Sequence, residues 1–253
     1  MPDEVLVLDE PEPCPYRPGE MARMPLRLPI RYLTAEETDT HFARGDRRHG
    51  RLLYRPACPA CAMCEAIRLD VGTFVPNRTQ RRTKSRGDRL LRTEVGRPQV
   101  DAERLALYEK HKLGRDLVVG EGKALDEKGY FGFLVDRCVD SVELRYYLDD
   151  TLVGVAVTDR GGDSLSAVYC FFDPDYPRLS IGTYSILKQI ELGRSWGCRY
   201  LYLGLYISDN EHMSYKSRFL PHERLVGGDW RLFDRAKAAP AAPESSEPSS
   251  VPR

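Results

Sequence analysis

From Val142 onward the hydrophobic pattern is that of strands. Val142, Leu144, Tyr146 and Leu148 alternate with Glu143, Arg145 and Tyr147, the period of a half-buried strand over residues 142–148. Residues 151–158 (TLVGVAVT) follow a tight Asp149-Asp150 turn, so the two segments predict a hairpin. After a Gly161-Gly162-Asp163 turn, residues 164–172 form a mostly apolar run expected to be buried on both faces. Asp173-Pro174 breaks it. Ile181, Tyr184, Leu187 and Ile190 then recur three apart, predicting a helix over 180–194 with Ser180 as its cap and Gly197 as its stop. Residues 200–207 close the series as a strand. Leu201, Leu203, Leu205 and Ile207 are expected on one face, and Tyr200, Tyr202, Gly204 and Tyr206 on the other. Upstream the pattern is weaker. It predicts a helix over 35–45 capped by Thr34, another over about 101–112, and no long periodic helix elsewhere between Cys14 and Gly96.

Hairpin, third strand, loop, helix, fourth strand is the core order of an N-acetyltransferase-like fold, an α/β (α+β) mixed sheet flanked by helices. It is expected over residues 99–235, preceded by a smaller Cys/Arg-rich region over 13–98. Residues 1–12 read as an acidic, flexible lead-in, and the Ala/Pro/Ser-rich residues 236–253 as a disordered tail. In such a fold the loop between the third strand and the helix offers backbone N–H groups to a phosphate. Here that loop is residues 176–183, with Arg178, Gly182 and Thr183 as the candidate anion contacts.

The 253 residues carry 38 basic and 38 acidic side chains, and the neutral total hides an asymmetry. Between Cys14 and Arg97 there are 18 Arg or Lys against 9 Asp or Glu, and all but one of the basic residues are arginine. A one-sided field of planar guanidinium groups suits a polyanion; the bland alternative is a solvated basic surface. The densest run is residues 77–89, where Arg78, Arg81, Arg82 and Lys84 are candidates for holding nucleic-acid phosphates. No stretch reaches the roughly 18 apolar residues of a membrane helix, and the acidic start lacks the basic n-region of a signal peptide. Seven cysteines, an odd count in a chain of this length, point to reduced thiols and a cytoplasmic protein. Cys58, Cys61 and Cys64 form two overlapping C-x-x-C spacings, with Cys14 upstream. Four thiols suit structural zinc or an iron–sulfur cluster, or else they are small buried hydrophobes. Cys138, Cys170 and Cys198 read as packing residues.

Several separate motifs occur in order. They are Cys14-Pro-Tyr-Arg-Pro-Gly19, Gly45-Asp-Arg-Arg-His-Gly50, Tyr54-Arg-Pro-Ala-Cys58-Pro-Ala-Cys61, Phe74-Val-Pro-Asn-Arg-Thr-Gln-Arg-Arg82, Leu165-Ser-Ala-Val-Tyr169, Phe172-Asp-Pro174, Ser180-Ile-Gly-Thr-Tyr184, Tyr202-Leu-Gly204 and Met213-Ser-Tyr-Lys216. On these the chain resembles the arginyl-tRNA–protein transferase family, and within it the bacterial aspartate/glutamate leucyltransferase branch, from about Cys14 to Trp230. The cysteines depart from the eukaryotic pattern of an upstream C-x-x-C and a downstream adjacent pair. The resemblance implies that an aminoacyl-tRNA gives its amino acid to the N-terminal amine of a target protein, marking it for degradation. The branch implies leucyl-tRNA and targets beginning with Asp or Glu.

The donor ester is already activated, and the attacking α-amine has a pKa of about 7.7–8.0, so part of it is free base near neutrality. Positioning supplies much of such a rate, and no cofactor is required for transfer. The candidates under this reading are Asp163 and Asp173 as acceptors for the α-ammonium, and Arg145 and Lys216 as clamps on the target's acidic side chain. Tyr169 is a candidate hydrogen-bond donor, and Tyr147, Ser166, Tyr202 and Tyr206 are candidates for lining the cleft. Each has an ordinary alternative in turn chemistry, surface ion pairing or amphipathic packing. Other functions weighed are arginyl transfer by the same scheme, an acetyl-CoA-dependent N-acetyltransferase, and a non-catalytic RNA-binding module.

Overall fold

In chain order the elements are β1 (Glu4–Leu8), β2 (Pro11–Pro13), β3 (Met21–Arg23), β4 (Leu26–Pro29), α1 (Ala35–Ala43), β5 (Arg47–His49), β6 (Leu52–Tyr54), β7 (Glu65–Asp70), α2 (Arg78–Leu90) and β8 (Leu91–Gly96). There follow α3 (Ala102–Gly114), α4 (Glu127–Tyr130, continued by a π-helical turn, Phe131–Val135), β9 (Asp140–Leu148), β10 (Thr151–Arg160) and β11 (Ser164–Phe172). Then come a 3-10 turn (Pro177–Leu179), α5 (Ile181–Ser195), β12 (Tyr200–Tyr206), α6 (Glu211–Ser214), a second 3-10 turn (Tyr215–Arg218), β13 (His222–Val226) and β14 (Asp229–Phe233). The computed structural model describes residues 3–117 and 125–235; the tail expected over 236–253 lies outside the described residues.

Eight strands form one sheet in the order β14-β13-β7-β12-β11-β10-β9-β8. All its neighbours are antiparallel except β11 and β12. Strand, strand, strand, helix, parallel strand over β9 to β12 is the N-acetyltransferase-like core expected from the pattern. β7 and β8, from the Cys/Arg-rich block, are strands of the same sheet. Residues 4–8, expected as part of a flexible lead-in, instead form β1, which pairs with β4 in a second sheet of order β1-β4-β6-β5. Arg27 donates to Glu4 and ties that strand down. On one face of the large sheet, Ile186, Leu187 and Ile190 of α5 pack on Ile67, Leu165 and Leu201. On the other, Leu107 and Tyr108 of α3 pack on Val155, Val157 and Phe171.

Two local expectations are corrected. Ser180 does not cap α5: it adopts a left-handed conformation (φ 51°) and makes no side-chain capping bond, so the helix N-terminus stays open. The arginine run, where no long periodic helix was expected, forms the helix α2. Asn77 and Gln80 form a reciprocal capping box at its start.

Candidate active site

β11 and β12 pair over only three residues, from Ser164↔Tyr200 to Ser166↔Tyr202. Both strands then bend. β12 slips register against β7 between Tyr202 and Gly204, where Gly204 takes φ +84°, and β11 slips against β10 between Ala167 and Tyr169. Bulges of this kind kink a strand and raise its twist, and here they part the two strands into a wedge with Ser166 at its apex. Residues 167–170 lie mid-sheet yet are only half-buried, because β12 has moved away. The facing backbone edges of the two strands are left free to hydrogen-bond a ligand.

The β12 bulge also breaks the expected alternation. Leu203 stays with the core under α5, but Leu205 turns to the opposite face and Tyr206 packs against the α5-side core, with Arg224 over its ring at 4.7 Å. The tyrosine face is therefore split. Bare Gly204 makes room for Arg47 of β5: a Cβ there would overlap its guanidinium. Beside it, Lys216 is 7% exposed and donates to the Leu205 carbonyl and the Met213 sulfur. Burial first, and then the Arg47 charge, hold the Lys216 ammonium well below its ordinary pKa. The neighbouring Tyr215 phenol is pushed up to about 12, chiefly by burial, with Cys170, Arg115 and Arg47 among the groups it senses. Of this group only Lys216 was a candidate from sequence. Arg47 and Tyr215 were passed over, although both lie inside the quoted motifs.

Along the mouth of the wedge runs α2. Arg78, Arg81, Arg82, Arg86 and Arg89 share one face with Ser85, and none is ion-paired to a carboxylate among the described residues. Many other arginines of the basic block are so paired: Arg23 with Asp9, Arg27 with Glu4 and Asp46, Arg48 with Asp159, Arg68 with Glu223. The free positive charge is thereby concentrated on α2. Gln80 at one end donates to the Arg218 carbonyl, and Arg86 near the other donates to the Arg178 carbonyl. The helix thus touches the turns that follow both limbs of the wedge. Arg178, Gly182 and Thr183 cluster at the uncapped N-terminus of α5, whose orphan N–H groups and dipole favour an anion. Lys84 leaves the arginine face and is held by Asp88 and Glu191.

Most of the other candidates lie elsewhere or are held by fixed partners. Asp163 and Asp173 sit at opposite ends of the nine-residue β11, about 30 Å apart at ~3.3 Å per residue, so they cannot attend one amine. Asp163, at the far end, accepts from the Arg199 N–H and so ties the turn before β11 to the start of β12, while Asp173 is paired with Lys110 at 2.7 Å and closes its own turn on the Asp175 N–H. Arg145 is bound to Glu94 and Glu143, and Tyr147 carries the Arg92 guanidinium over its ring, both at the β8–β9 edge. The Tyr202 hydroxyl takes a hydrogen bond from Arg68 at 3.1 Å, and its ring packs on Phe42 and Trp230. Tyr169 joins the α3-side aromatic cluster of Tyr108, Phe133 and Phe171. Position and fixed partners separate these from the wedge, except that Tyr169 lies on the freed stretch of β11 with its ring in that cluster, and Tyr202 stands opposite Ser166 at the apex with its hydroxyl held by Arg68.

Cys14, Cys58, Cys61 and Cys64 all line one half-open cavity of about 410 Å³ that Leu205 closes on the wedge side. Burial first, then Cys14, Cys58 and Cys61, push the Cys64 thiol up to about 12. The Arg23 N–H donates to Cys58 Sγ and Arg17 to Cys61 Sγ. Among the described residues, no three His, Cys, Asp or Glu side chains close into a metal-holding arrangement as placed.

An N-acetyltransferase-like sheet, splayed beside an open helix N-terminus and an arginine-faced helix, is an architecture suited to group transfer from an anionic donor. Residues 12–82 match the description "Arginine-tRNA-protein transferase, N terminus", and residues 103–226 match "Arginine-tRNA-protein transferase, C terminus". The chain is 38% identical over 224 residues to the aspartate/glutamate leucyltransferase of Thiobacillus denitrificans, covering 87% of this chain and 91% of the relative. It is 37% identical over 227 residues to that of Gluconacetobacter diazotrophicus, covering 89% and 86%. The chain belongs to the arginine-tRNA-protein transferase family. Among solved structures, L-PGS from Bacillus licheniformis is similar at TM-score 0.47 and 15% identity, covering 67% of this chain and 58% of that one. The PaiA N-acetyltransferase of Thermoplasma acidophilum in complex with coenzyme A is similar at TM-score 0.37 and 14% identity, covering 56% and 97%.

Proposed function

We propose that the protein moves leucine from leucyl-tRNA to the N-terminal amine of proteins beginning with Asp or Glu, marking them for degradation. The observation that carries this is the arginine face of α2 meeting the open N-terminus of α5 at the mouth of the wedge. Phosphates of the tRNA acceptor end lie on Arg78, Arg81, Arg82, Arg86 and Arg89 and reach Arg178, Gly182 and Thr183, which brings the terminal ester over the parted strands. The target's α-ammonium gives up one proton to become a nucleophile. Its nitrogen then attacks the ester carbonyl, the C–N bond forms, and the C–O bond to the terminal ribose breaks. The ribose oxygen leaves with the amine's second surplus proton. Free backbone N–H groups along β11 are suited to the oxyanion that develops. Among the described residues no helix is long and apolar enough to cross a membrane, and seven unbridged cysteines suit the reducing cytoplasm, where charged tRNA is found.

Cys14, Cys58, Cys61 and Cys64 have the donor chemistry of a zinc or iron–sulfur site and line one cavity, although as placed no three of them close around a metal. Such a group would brace the β2–β3 loop, which carries Cys14, against the β6–β7 loop, which carries the other three and which the Arg17–Cys61 contact already joins to it. It supplies structure, not transfer chemistry. Metal analysis and visible absorption of anaerobically purified protein test it, since Cys64→Ser should lose whatever is bound. The reaction is tested by incubating the full chain with leucyl- or arginyl-tRNA and a peptide beginning with Asp. Leu-Asp product is expected. Arginyl transfer in its place, or acetylation from acetyl-CoA with no transfer, would overturn the assignment.

A further inference from the structure

Two cations stand side by side at the floor of the wedge, and neither has a carboxylate partner among the described residues. Arg47 Nη1 is buried and makes no hydrogen bond. Lys216 is buried and has only a carbonyl and a thioether as acceptors. The fold treats the next arginine otherwise: Arg48 is held by Asp159 and by backbone carbonyls. A buried charge is costly unless it is paired, and two like charges together are costlier. A site that keeps such a pair is built to receive an anion.

We propose that Arg47 and Lys216 form the subsite for the acidic side chain of the acceptor protein's first residue. The assignment rests on the transfer reaction proposed above. The Nη1 end of the Arg47 guanidinium fills the space a Cβ would take at Gly204; the group offers a carboxylate the two-bond recognition that arginine favours, and Lys216 adds the second charge. Phosphates have their own exposed track on α2, whereas this pair is sunk beneath the parted strands. A carboxylate only two or three bonds from the α-carbon, once seated here, holds the adjacent α-amine within the wedge. An Asn or Gln side chain would leave both cations uncompensated, so the subsite discriminates by charge. Gly204 belongs to the same device, since any side chain there would displace the guanidinium.

The test uses the full chain and fluorescent peptides beginning with Asp or Asn, with binding measured by anisotropy without tRNA and transfer measured with leucyl-tRNA. Wild-type protein is expected to prefer the Asp peptide at least about 10-fold in binding. Arg47→Gln and Lys216→Met should each erase most of that preference, raising KM for the Asp peptide more than lowering kcat. tRNA affinity in filter binding should stay within about twofold, and Arg47→Lys should restore part of the preference. Lys216→Met keeps the side-chain bulk and removes a buried charge, so its thermal stability should not fall, which separates the effect from misfolding. No Asp preference in the wild type overturns the subsite, as does a preference that survives both variants. A fall in tRNA affinity with the preference intact would likewise overturn it, because the pair would then be a phosphate contact. Asp preference without transfer would leave the subsite standing and remove the reaction instead.

Discussion

Replacing Gly87 by alanine puts the placement of the arginine helix to a test in which two physical effects have opposite signs. In the middle of a helix, Gly→Ala stabilises by about 1 kcal/mol from backbone propensity alone. In this protein a Cβ at Gly87 would come within 2.8 Å of Tyr184 Cζ and closer still to Cδ2 and Cε2. The ring cannot swing aside: Tyr184 is 1% exposed, its hydroxyl donates to Asp88 at 3.1 Å, and its ring meets Tyr146 edge-on at 5.5 Å. Restoring ordinary carbon contacts of 3.5 Å or more would move α2 away from α5 by about 1 Å. Overpacking of this sort costs about 1–3 kcal/mol. The buried face of α2 consists of Gln80, Thr83 and Gly87 and has little apolar area with which to repack. Set against the gain of about 1 kcal/mol, the net expectation is a loss of up to about 2 kcal/mol, or a Tm lower by up to roughly 6 °C in a chain of this size. Kd for leucyl-tRNA should rise as the arginines move off the α5 N-terminus. Thermal unfolding followed by circular dichroism reads the first effect and filter binding the second. A Tm that rises would refute the packing argument.

Tyr202→Phe removes the hydroxyl that Arg68 reaches and should cost about 1–2 kcal/mol in urea unfolding while leaving the transfer rate within about twofold; a large fall in kcat would return this tyrosine to the chemistry. Asp163→Asn, at the far end of β11, should likewise keep full transfer activity, with loss of turnover the contrary result. His111 is buried, its Nδ1 3.0 Å from the Phe172 carbonyl, and burial lowers its pKa to about 4. The unfolded chain takes up this proton below about pH 6.5 and the folded chain does not until about pH 4, so stability is full above 6.5 and declines as the pH falls toward 4. The decline from this one group is about 3 kcal/mol. Urea midpoints for His111→Asn across that window should be flatter than those of the wild type, and identical slopes would show that the imidazole is not the cause.

Much of the scaffold was legible in the order of residues, because period and punctuation are local properties. The alternation of 142–148, the Asp149-Asp150 turn, the apolar run that became β11 and the Thr34 cap all appear where the pattern places them. α2 escaped for a physical reason. Its arginines recur at i, i+3, i+4, i+8 and i+11, but its buried face is Gln80, Thr83 and Gly87, so no apolar period announces it. The Asn77–Gln80 capping box was the available signal.

Residue types alone established that the chain has thiols, a one-sided arginine supply, an anion-ready loop and motifs of one family. Which arginines remain free was decided only in three dimensions. Asp9, Glu4, Asp159 and Glu223 neutralise theirs from elsewhere in the chain, at separations no local window can see. The site itself was decided in the same way. A one-residue slip at Leu203–Gly204 moves Tyr206 to the α5 side and Leu205 off it, parts β12 from β11 and opens a seat for Arg47. A slip of register has no signature in composition or periodicity, because it follows from how β12 is matched to β7, a strand more than 130 residues earlier.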